Sequence, residues 1–455
     1  MAIYVNRVLN MKHIKVIGFD MDHTLVRYHS DKFEELTFNL SIERLIKDKD
    51  YPEEIKNFKF DFHKAIRGLI VDKVNGNILK VSQFNKIKNS YHGTKVLSYK
   101  EQRKIYQGSS VDLSDPMYMS LDTFFSIAHT SLFSQLVDLK DERPELNLPE
   151  YANMADDVTY AVDIIHRDDS LKSIVKSNLE DYVIKDGTMV EALERFVKYG
   201  KKLWVITNSD YTYTKALLDY TINPFLKDHK HWSELFEVTI TLAFKPRFFT
   251  EKNIMLKVDP ANGLMENFDK KIVPGIYQGG HATRLQNDFG LAGDEILYLG
   301  DHIYGDIVKL KKACGWRTAL VIEELDFEVD SYKSTKNISI EIDDLMAQKV
   351  DLESEVDELY AKEFEFGEEV PKEQVYSKFD QIEKIDKKIG ALIKQYEACF
   401  NDNWGEVMRA GVEPSFFASQ IERYACIYMT KVSDFNEYSP RKYYRPVKLK
   451  LAHEK

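Results

Sequence analysis

Residues 14–28 read IKVIGFDMDHTLVRY and decide the fold. Their apolar run ends at Phe19, and Asp20 and Asp22 follow at once. Such a run predicts a strand buried on both faces, as in a parallel sheet, and ligands collect beyond the carboxyl ends of these strands. One carboxylate can attack phosphorus while the other moves a proton. Alone, the pair is equally compatible with a helix cap or a solvated loop.

Further apolar runs repeat this strand pattern and lie at residues 203–206, 238–242, 296–299 and 318–322. Helical patterns separate several of them. One covers residues 186–200, with apolar residues on one face and Gly200 as its terminator. Alternation of helix and strand predicts an α/β fold with an open, doubly wound, Rossmann-like parallel sheet.

The chain is predicted to divide into four segments. Residues 1–30 hold the first core strand and the paired aspartates, and residues 181–345 hold the remainder of the core. Residues 31–180 form an inserted α/β cap, in which VDKVNGNILKV reads as a hairpin. Residues 346–455 form a helical extension packing on the core, whose charged helices are either a solvated pair or an oligomer contact.

Composition limits the class of protein. With 455 residues the chain is long enough for two or three domains. Its formal net charge of −11 argues against a nucleic-acid partner. The 3 cysteines are scattered without metal-binding spacing, and their odd number makes a disulfide framework improbable, which indicates a reducing compartment. No apolar run approaches the roughly 20 residues that cross a bilayer, so we predict a cytoplasmic protein without a membrane partner.

A second acidic cluster follows the apolar run ILYL. It contains Asp301 and Asp306 in the sequence GDHIYGD. Carboxylates from neighbouring strand ends can share one Mg²⁺, because that ion prefers hard oxygen ligands. Asp301 alone could equally be a helix N-cap, but the pair at Asp20 and Asp22 favours the metal interpretation.

Two more strand ends carry polar side chains. Thr207, Asn208 and Ser209 follow LWVI and can either hold phosphate oxygens or cap a helix. Lys245 follows VTITLAF, where an ammonium can neutralise a transferring phosphoryl group. Outside this context Lys245 would be read as an ordinary surface lysine.

These motifs occur in the order DxD, Thr, Lys and GDxxxxD, which resembles the haloacid dehalogenase superfamily. FDMDHTLVRY, VITNSDYTYT, FKPRFF, YLGDHIYGDIVKLKK, GWRTALVI and FASQIERYA are similar to motifs of the cytosolic purine 5′-nucleotidases that favour IMP and GMP. The likeness spans about residues 13 to 430. It implies Mg²⁺-dependent hydrolysis of 6-oxopurine nucleoside monophosphates through an aspartyl-phosphate, with phosphotransfer to nucleosides as a side activity.

The resemblance also implies roles for the strand-end residues. Asp20 would be the nucleophile and Asp22 the general acid and base. Mg²⁺ would be held by Asp20, the main-chain carbonyl of Asp22, and Asp301. Asp306 would support these ligands without binding the ion itself. The phosphate would be bound by Thr207, Asn208, Ser209 and Lys245.

Residues 161–172 resemble the purine-reading segment of that family. By likeness, Asp163, His166 and Lys172 would contact the nucleoside and Phe125 would stack on the base. A carboxylate can accept the N1–H of a 6-oxopurine and an ammonium can donate to O6. The family usually has an arginine where this chain has Thr159. Either another cation replaces that arginine, for which Arg167 is a candidate, or substrate affinity and base preference differ from the family's.

The family likeness further implies a homotetramer and a nucleotide effector. Tyr304 and Lys312 match an aromatic residue and a lysine of the family's effector site, although Tyr304 also reads as a core or lip aromatic. Asp112 or a neighbour falls where a basic contact is expected, so any control would use rearranged contacts. The alternatives are a phosphatase for another phosphomonoester and a catalytically silent nucleotide-binding scaffold.

Overall fold

The structure is a computed structural model that describes residues 3–108, 110–123 and 126–447. These residues form two compact units. Residues 324–406 are one unit, and the residues before and after them form the other. The predicted four-segment division stays a prediction, and the compact units begin and end at other residues than its boundaries.

The strands among the described residues are, in chain order, β1 (Ile3–Val5), β2 (Leu9–Asn10), β3 (Val16–Phe19), β4 (Arg27–Tyr28), β5 (Leu69–Asp72), β6 (Asn77–Val81), β7 (Ile87–His92), β8 (Lys95–Val96), β9 (Tyr118–Leu121), β10 (Val183–Ile184), β11 (Lys202–Ile206), β12 (Val238–Thr241), β13 (Met255–Val258), β14 (Met265–Asn267), β15 (Gly275–Gly279), β16 (Ile296–Gly300), β17 (Arg317–Val321), β18 (Arg409–Ala410), β19 (Glu413–Pro414), β20 (Ile427–Met429) and β21 (Tyr443–Tyr444).

The α-helices of the described residues are α1 (Ser30–Lys49), α2 (Tyr99–Tyr106), α3 (Ser126–Glu142), α4 (Tyr151–Arg167), α5 (Ser170–Ser177), α6 (Leu179–Tyr182), α7 (Gly187–Lys198), α8 (Tyr211–Thr221), α9 (Trp232–Leu235), α10 (Arg247–Thr250), α11 (Ala282–Asp288), α12 (Lys309–Cys314), α13 (Glu324–Phe364), α14 (Lys372–Glu397) and α15 (Phe416–Tyr424). A π-helical turn at Ile303–Val308 leads directly into α12.

A ten-stranded sheet forms the core, in the order β1-β20-β17-β16-β3-β11-β12-β15-β13-β14. The strands from β20 to β15 run parallel, and β1, β13 and β14 add antiparallel edges. Strand β3 lies between β11 and β16, and all of its residues are buried. The predicted doubly wound α/β fold is therefore confirmed.

The apolar runs read from the sequence correspond to β3, β11, β12, β16 and β17. Strands β15 and β20 were missed. Gly275–Gly279 contains two glycines and Ile427–Met429 is only three residues long, so neither shows the long apolar run of a buried strand. Their strand conformation depends on pairing with distant parts of the chain.

An antiparallel five-stranded sheet lies in the inserted segment, in the order β8-β7-β6-β5-β9. Strands β5 and β6 form the predicted hairpin, with Asp72 opposite Asn77 and Gly76 in the left-handed region at φ 66°. Helices α1, α3, α4 and α5 complete this part of the chain, and the many contacts of α1 with α3 and α4 make them one packed layer.

The unit of residues 324–406 consists mainly of α13 and α14. Leu345 and Val356 of α13 and Ile389 of α14 are buried. Ion pairs join the helices, with Lys349 Nζ 2.7 Å from an Asp386 carboxylate oxygen. None of the described helices is both long and apolar enough to span a bilayer.

Candidate active site

The first residue beyond each of two central strands is held by the neighbouring strand. The Asp20 N–H donates to the Leu299 carbonyl at 2.8 Å, and the Thr207 N–H donates to the Ile240 carbonyl at 2.9 Å. Parallel pairing brings the carboxyl ends of β3, β11 and β16 to one edge of the sheet. The backbone therefore fixes where the side chains that follow these strands begin.

Three buried carboxylates converge at this edge. Asp20, Asp301 and Asp306 each offer an oxygen that lies within 4.8 Å of the others. Burial raises the pKa of Asp20 well above its usual value, although Lys245 opposes this, and burial with the nearby Asp306 charge raises the pKa of Asp301 to about 7. Three carboxylates beside one ammonium leave two negative charges uncompensated when all are ionised. That charge and the all-oxygen donors fit a hard divalent cation.

Lys245 is the cation at the centre of this cluster. Its Nζ lies 2.8 Å from Asp20 Oδ1, 2.8 Å from Asp306 Oδ1 and 3.1 Å from the Tyr298 hydroxyl. Burial alone lowers the pKa of this ammonium, but the two carboxylates raise it well above its ordinary value. Lys245 therefore stays charged and holds the carboxylates of Asp20 and Asp306 close together.

Asn208 fixes the loop that carries Lys245. Its side-chain oxygen accepts the Lys245 N–H at 2.6 Å, and its amide donates to the Lys245 carbonyl at 3.1 Å. The same loop pairs with the strand end through Ala243 N–H to the Thr207 carbonyl at 2.9 Å. Leu242 and Phe244 both have positive φ, at 40° and 58°, so the loop is tightly bent.

Asp22 is held apart from the three clustered carboxylates. Its Oδ1 accepts a hydrogen bond from the Tyr28 hydroxyl at 2.5 Å, and its Oδ2 accepts one from the Ser209 hydroxyl at 2.8 Å. The Ser209 N–H in turn donates to Thr207 Oγ1 at 3.1 Å. Asp22 and Asp20 therefore have different surroundings, which suits two separate chemical tasks.

Gly300 permits the close approach of Asp306. A Cβ on Gly300 would lie 2.4 Å from Asp306 Oδ2 and 2.5 Å from its Cγ, which is far inside van der Waals contact. Asp306 Oδ2 also accepts the His302 N–H at 3.3 Å, and the π-helical turn begins at Ile303. The end of β16 therefore requires glycine for Asp306 to face Lys245.

Comparison with known proteins identifies the family. A model described as the 5′ nucleotidase family matches residues 3–455. The chain belongs to the 5′-nucleotidase family. It is 28% identical to a 5′-nucleotidase domain-containing protein of Dictyostelium discoideum over 99% of this chain and 75% of that protein. It is 25% identical to 5′-nucleotidase domain-containing protein 2 of Homo sapiens over all of this chain and 85% of that protein.

Among solved structures, a predicted phosphoglycolate phosphatase from Haemophilus somnus is 16% identical and covers 68% of this chain and 85% of its own, with a TM-score of 0.28. A TM-score that low has no bearing on the fold.

Membership of the family makes the protein a 5′-nucleotidase, an enzyme that hydrolyses nucleotides. Its cluster of buried acidic side chains is consistent with metal dependence.

The residues with predicted base-reading roles lie on α4 and α5. His166 is half-buried, and its Nδ1 lies 2.7 Å from the Val162 carbonyl. Burial lowers its pKa, and the charges of Lys172, Asp163 and Asp22 all act on its ring. His166 is therefore close enough to Asp22, Asp163 and Lys172 for their charges to act on its ring, and its role in base reading stays a prediction.

Asp163 and Lys172 differ in their surroundings. Asp163 is exposed and forms an ion pair with Arg167 at 3.2 Å. The Lys172 ammonium lies 3.4 Å from Asp210 Oδ2 and 5.3 Å from the centre of the Tyr213 ring. Phe125, predicted to stack on the base, lies outside the described residues.

Thr159 is bound within the cap. Its hydroxyl donates to the Ala155 carbonyl at 2.8 Å and lies 3.0 Å from His129 Nε2. Burial lowers the pKa of His129 to about 4, so this ring is neutral near pH 7. The pair of Thr159 and His129 therefore supplies no cation in place of the family arginine.

The residues matched to the family's effector site have separate local partners. Tyr304 is 45% exposed and so is not a core residue, and the Lys309 ammonium lies 4.9 Å from the centre of its ring. Lys312 lies 5.4 Å from the centre of the Tyr424 ring. Asp112 accepts hydrogen bonds from the main chain and side chain of Ser114.

Sequence reasoning missed four residues beside the site. Tyr298 orients Lys245, and Tyr28 contacts Asp22. Arg67 of the cap is 1% exposed and donates to the Asp301 carbonyl at 3.1 Å, and Tyr213 lies 3.2 Å from Tyr28. Tyr28 ends the motif FDMDHTLVRY and could have been noticed there, whereas Arg67 is more than two hundred residues from Asp301 and carries no local signal.

Proposed function

We propose that the protein is a Mg²⁺-dependent 5′-nucleotidase that hydrolyses 6-oxopurine nucleoside monophosphates, IMP and GMP, to nucleoside and phosphate. One observation carries this proposal. The carboxylate of Asp20 lies beside Lys245 and within reach of Asp301 at the carboxyl edge of the sheet. A nucleophile held next to a fixed cation is what attack on a charged phosphate requires.

In this proposal an Asp20 oxygen attacks phosphorus. The bond from phosphorus to the nucleoside 5′-oxygen breaks, the aspartyl-phosphate forms, and Asp22 gives its proton to the departing oxygen. Asp22 then takes a proton from the water that hydrolyses the aspartyl-phosphate. Lys245 neutralises charge on the phosphoryl oxygens, which are also bound by the strand-end residues Thr207, Asn208 and Ser209.

Asp20, the main-chain carbonyl of Asp22, and Asp301 would hold Mg²⁺, and Asp306 supports this site through Lys245 and the His302 N–H. Bound there, Mg²⁺ would screen the repulsion between the aspartate nucleophile and the phosphate oxygens. The raised pKa values of Asp20 and Asp301 support a cation requirement, because burial disfavours their ionised forms when no further positive charge is present.

Base selection is proposed for Asp163, His166 and Lys172, with Phe125 stacking on the ring. Lys172 can donate to O6 of a 6-oxopurine, and Asp163 can accept N1–H. Adenine presents the opposite donor and acceptor pattern at that edge and would be rejected. The support is the position of Lys172, whose ammonium lies 3.4 Å from Asp210, the residue that follows Ser209.

Further properties are proposed on family likeness. A nucleoside hydroxyl can attack the aspartyl-phosphate in place of water, which would give phosphotransferase activity. We also propose a cytoplasmic homotetramer that responds to a nucleotide effector. Of the alternatives read from the sequence, the silent nucleotide-binding scaffold does not fit membership of the 5′-nucleotidase family, and a preference for another phosphomonoester is the remaining one.

The test is phosphate release from a panel of IMP, GMP, AMP, CMP and a sugar phosphate, with and without Mg²⁺. We expect the 6-oxopurine nucleotides to lead and chelation to stop turnover. Equal rates across the panel would reject oxopurine selection but leave the phosphatase. Asp20→Asn should abolish release while keeping the circular dichroism spectrum of the wild type, and a wild type with no activity on any member of the panel would reject the proposed function.

A further inference from the structure

Two buried tyrosine hydroxyls form a chain of hydrogen bonds that ends on Asp22. The Tyr28 hydroxyl donates to Asp22 Oδ1 at 2.5 Å and lies 3.2 Å from the Tyr213 hydroxyl. A phenol has one proton to donate, and Tyr28 gives it to the carboxylate. The Tyr213 hydroxyl is therefore the donor to Tyr28, and the chain has one direction, from Tyr213 through Tyr28 to Asp22.

Neighbouring residues hold Tyr28 and Tyr213 in place. Tyr28 and Tyr213 are 1% and 2% exposed. The Tyr28 ring packs on Phe33 at 4.6 Å between centroids, and its backbone pairs with Val183. Burial raises the pKa of both phenols well above the usual value, so each keeps the proton that it donates.

The outer end of the chain lies at the predicted base-reading lysine. Lys172 Nζ is 5.3 Å from the centre of the Tyr213 ring and 3.4 Å from Asp210 Oδ2. Asp210 Oδ1 accepts the Tyr213 N–H at 2.9 Å. One side chain therefore fixes both Tyr213 and Lys172.

We propose that Tyr28 is a positioning residue for Asp22, and that Tyr213 orients the Tyr28 hydroxyl. The inference rests on the proposed function, in which Asp22 protonates the leaving oxygen. Tyr28 and Ser209 each donate to a different oxygen of Asp22 and so fix the plane of the carboxyl group. Each oxygen keeps a second lone pair, on which the transferred proton can reside.

The test is a double-mutant cycle on a 6-oxopurine nucleoside monophosphate. Tyr28→Phe keeps the ring and removes the donor, and we expect kcat to fall about 10-fold with KM within about 2-fold, a part of what general acid catalysis contributes. Tyr213→Phe should lower kcat about 3-fold, because it acts one bond further away. The double variant should be no slower than Tyr28→Phe, since Tyr213 acts only through Tyr28.

The leaving group separates positioning from a structural effect. p-Nitrophenolate leaves without being protonated, so kcat/KM for p-nitrophenyl phosphate should change less than about 2-fold in Tyr28→Phe. Tyr211→Phe is the matched control. Tyr211 lies on α8, as Tyr213 does, but its hydroxyl donates to the Pro260 carbonyl at 3.0 Å and takes no part in the hydrogen bonds from Tyr213 to Asp22. This control should leave kcat on the nucleotide and kcat/KM for p-nitrophenyl phosphate unchanged.

Three results would overturn the inference in an active wild type. The first is a Tyr28→Phe variant with unchanged kcat on the nucleotide, and the second is additive losses in the cycle. The third is an equal loss of kcat/KM on the nucleotide and on p-nitrophenyl phosphate, which would assign Tyr28 a structural role. A wild type that releases no phosphate from any nucleotide is a different result, because it rejects the proposed function itself.

Discussion

Replacing Glu34 by glutamine is expected to stabilise the protein at pH 8 and to have little effect near pH 4.5. Glu34 lies on α1 and is fully buried. Its Oε2 accepts the Ala128 N–H at 2.7 Å, while Oε1 has no hydrogen-bond partner among the residues that the structure describes. Burial raises the pKa of this carboxyl from 4.5 to about 8, and the single hydrogen bond only partly opposes it.

The size of the effect follows from the two pKa values. Between pH 4.5 and pH 8 the folded protein keeps a proton on Glu34 that the unfolded chain releases. The contribution of Glu34 to stability is therefore greatest below pH 4.5, falls by about 1.4 kcal/mol per pH unit, and levels off above about pH 8 after a loss of about 5 kcal/mol. Glutamine keeps the acceptor for the Ala128 N–H and carries no charge at any pH, so this loss disappears.

Urea unfolding followed by circular dichroism from pH 5 to pH 9 measures the difference between variant and wild type. The free energy of unfolding of Glu34→Gln minus that of the wild type should increase from pH 5 to about pH 8 and then stay constant. Glu35→Gln is the matched control, because Glu35 is the next residue of the same helix and is exposed. Parallel pH curves for wild type and Glu34→Gln would refute the assignment of a protonated buried carboxyl.

Three further outcomes concern the acidic cluster. Lys245→Met should lower the free energy of unfolding by about 3 to 5 kcal/mol, because it leaves the buried carboxylates of Asp20 and Asp306 without their cation. Thermal unfolding without Mg²⁺ measures this loss of stability, and an unchanged midpoint would contradict the prediction. Mg²⁺ affinity should fall about tenfold per pH unit below pH 7, where Asp301 is protonated, and calorimetry in two buffers should detect proton release on binding. Gly300→Ala should displace Asp306 and weaken Mg²⁺ binding in the same titration, and unchanged affinity would show that the strand end can relax.

Local patterns along the chain were sufficient for the central part of the sheet. Strands β3, β11, β12, β16 and β17 could be predicted because burial on both faces demands consecutive apolar residues. Strands β15 and β20 could not, since β15 has glycine at both ends and β20 has only three residues, so neither shows a long apolar run. The π-helical turn at Ile303–Val308 is likewise a feature that no apolar periodicity indicates.

The candidate site divides in the same way. The polar residues that follow the strands were found because the carboxyl ends of parallel strands meet at one edge. The partners of those residues were not. Tyr298, which orients Lys245, sits inside an apolar run, and Tyr213 faces Tyr28 across the fold.

The order of apolar runs and acidic motifs, readable from the chain alone, determined the α/β class, the carboxylates at the strand ends and the family likeness, because these depend on residues adjacent in sequence. Only the tertiary structure decided which hydroxyl holds Asp22, which carboxylates share Lys245, and that Arg67 meets the Asp301 carbonyl. Contacts of this kind join residues far apart in the chain, and their geometry is set by the packing of the whole core and cap.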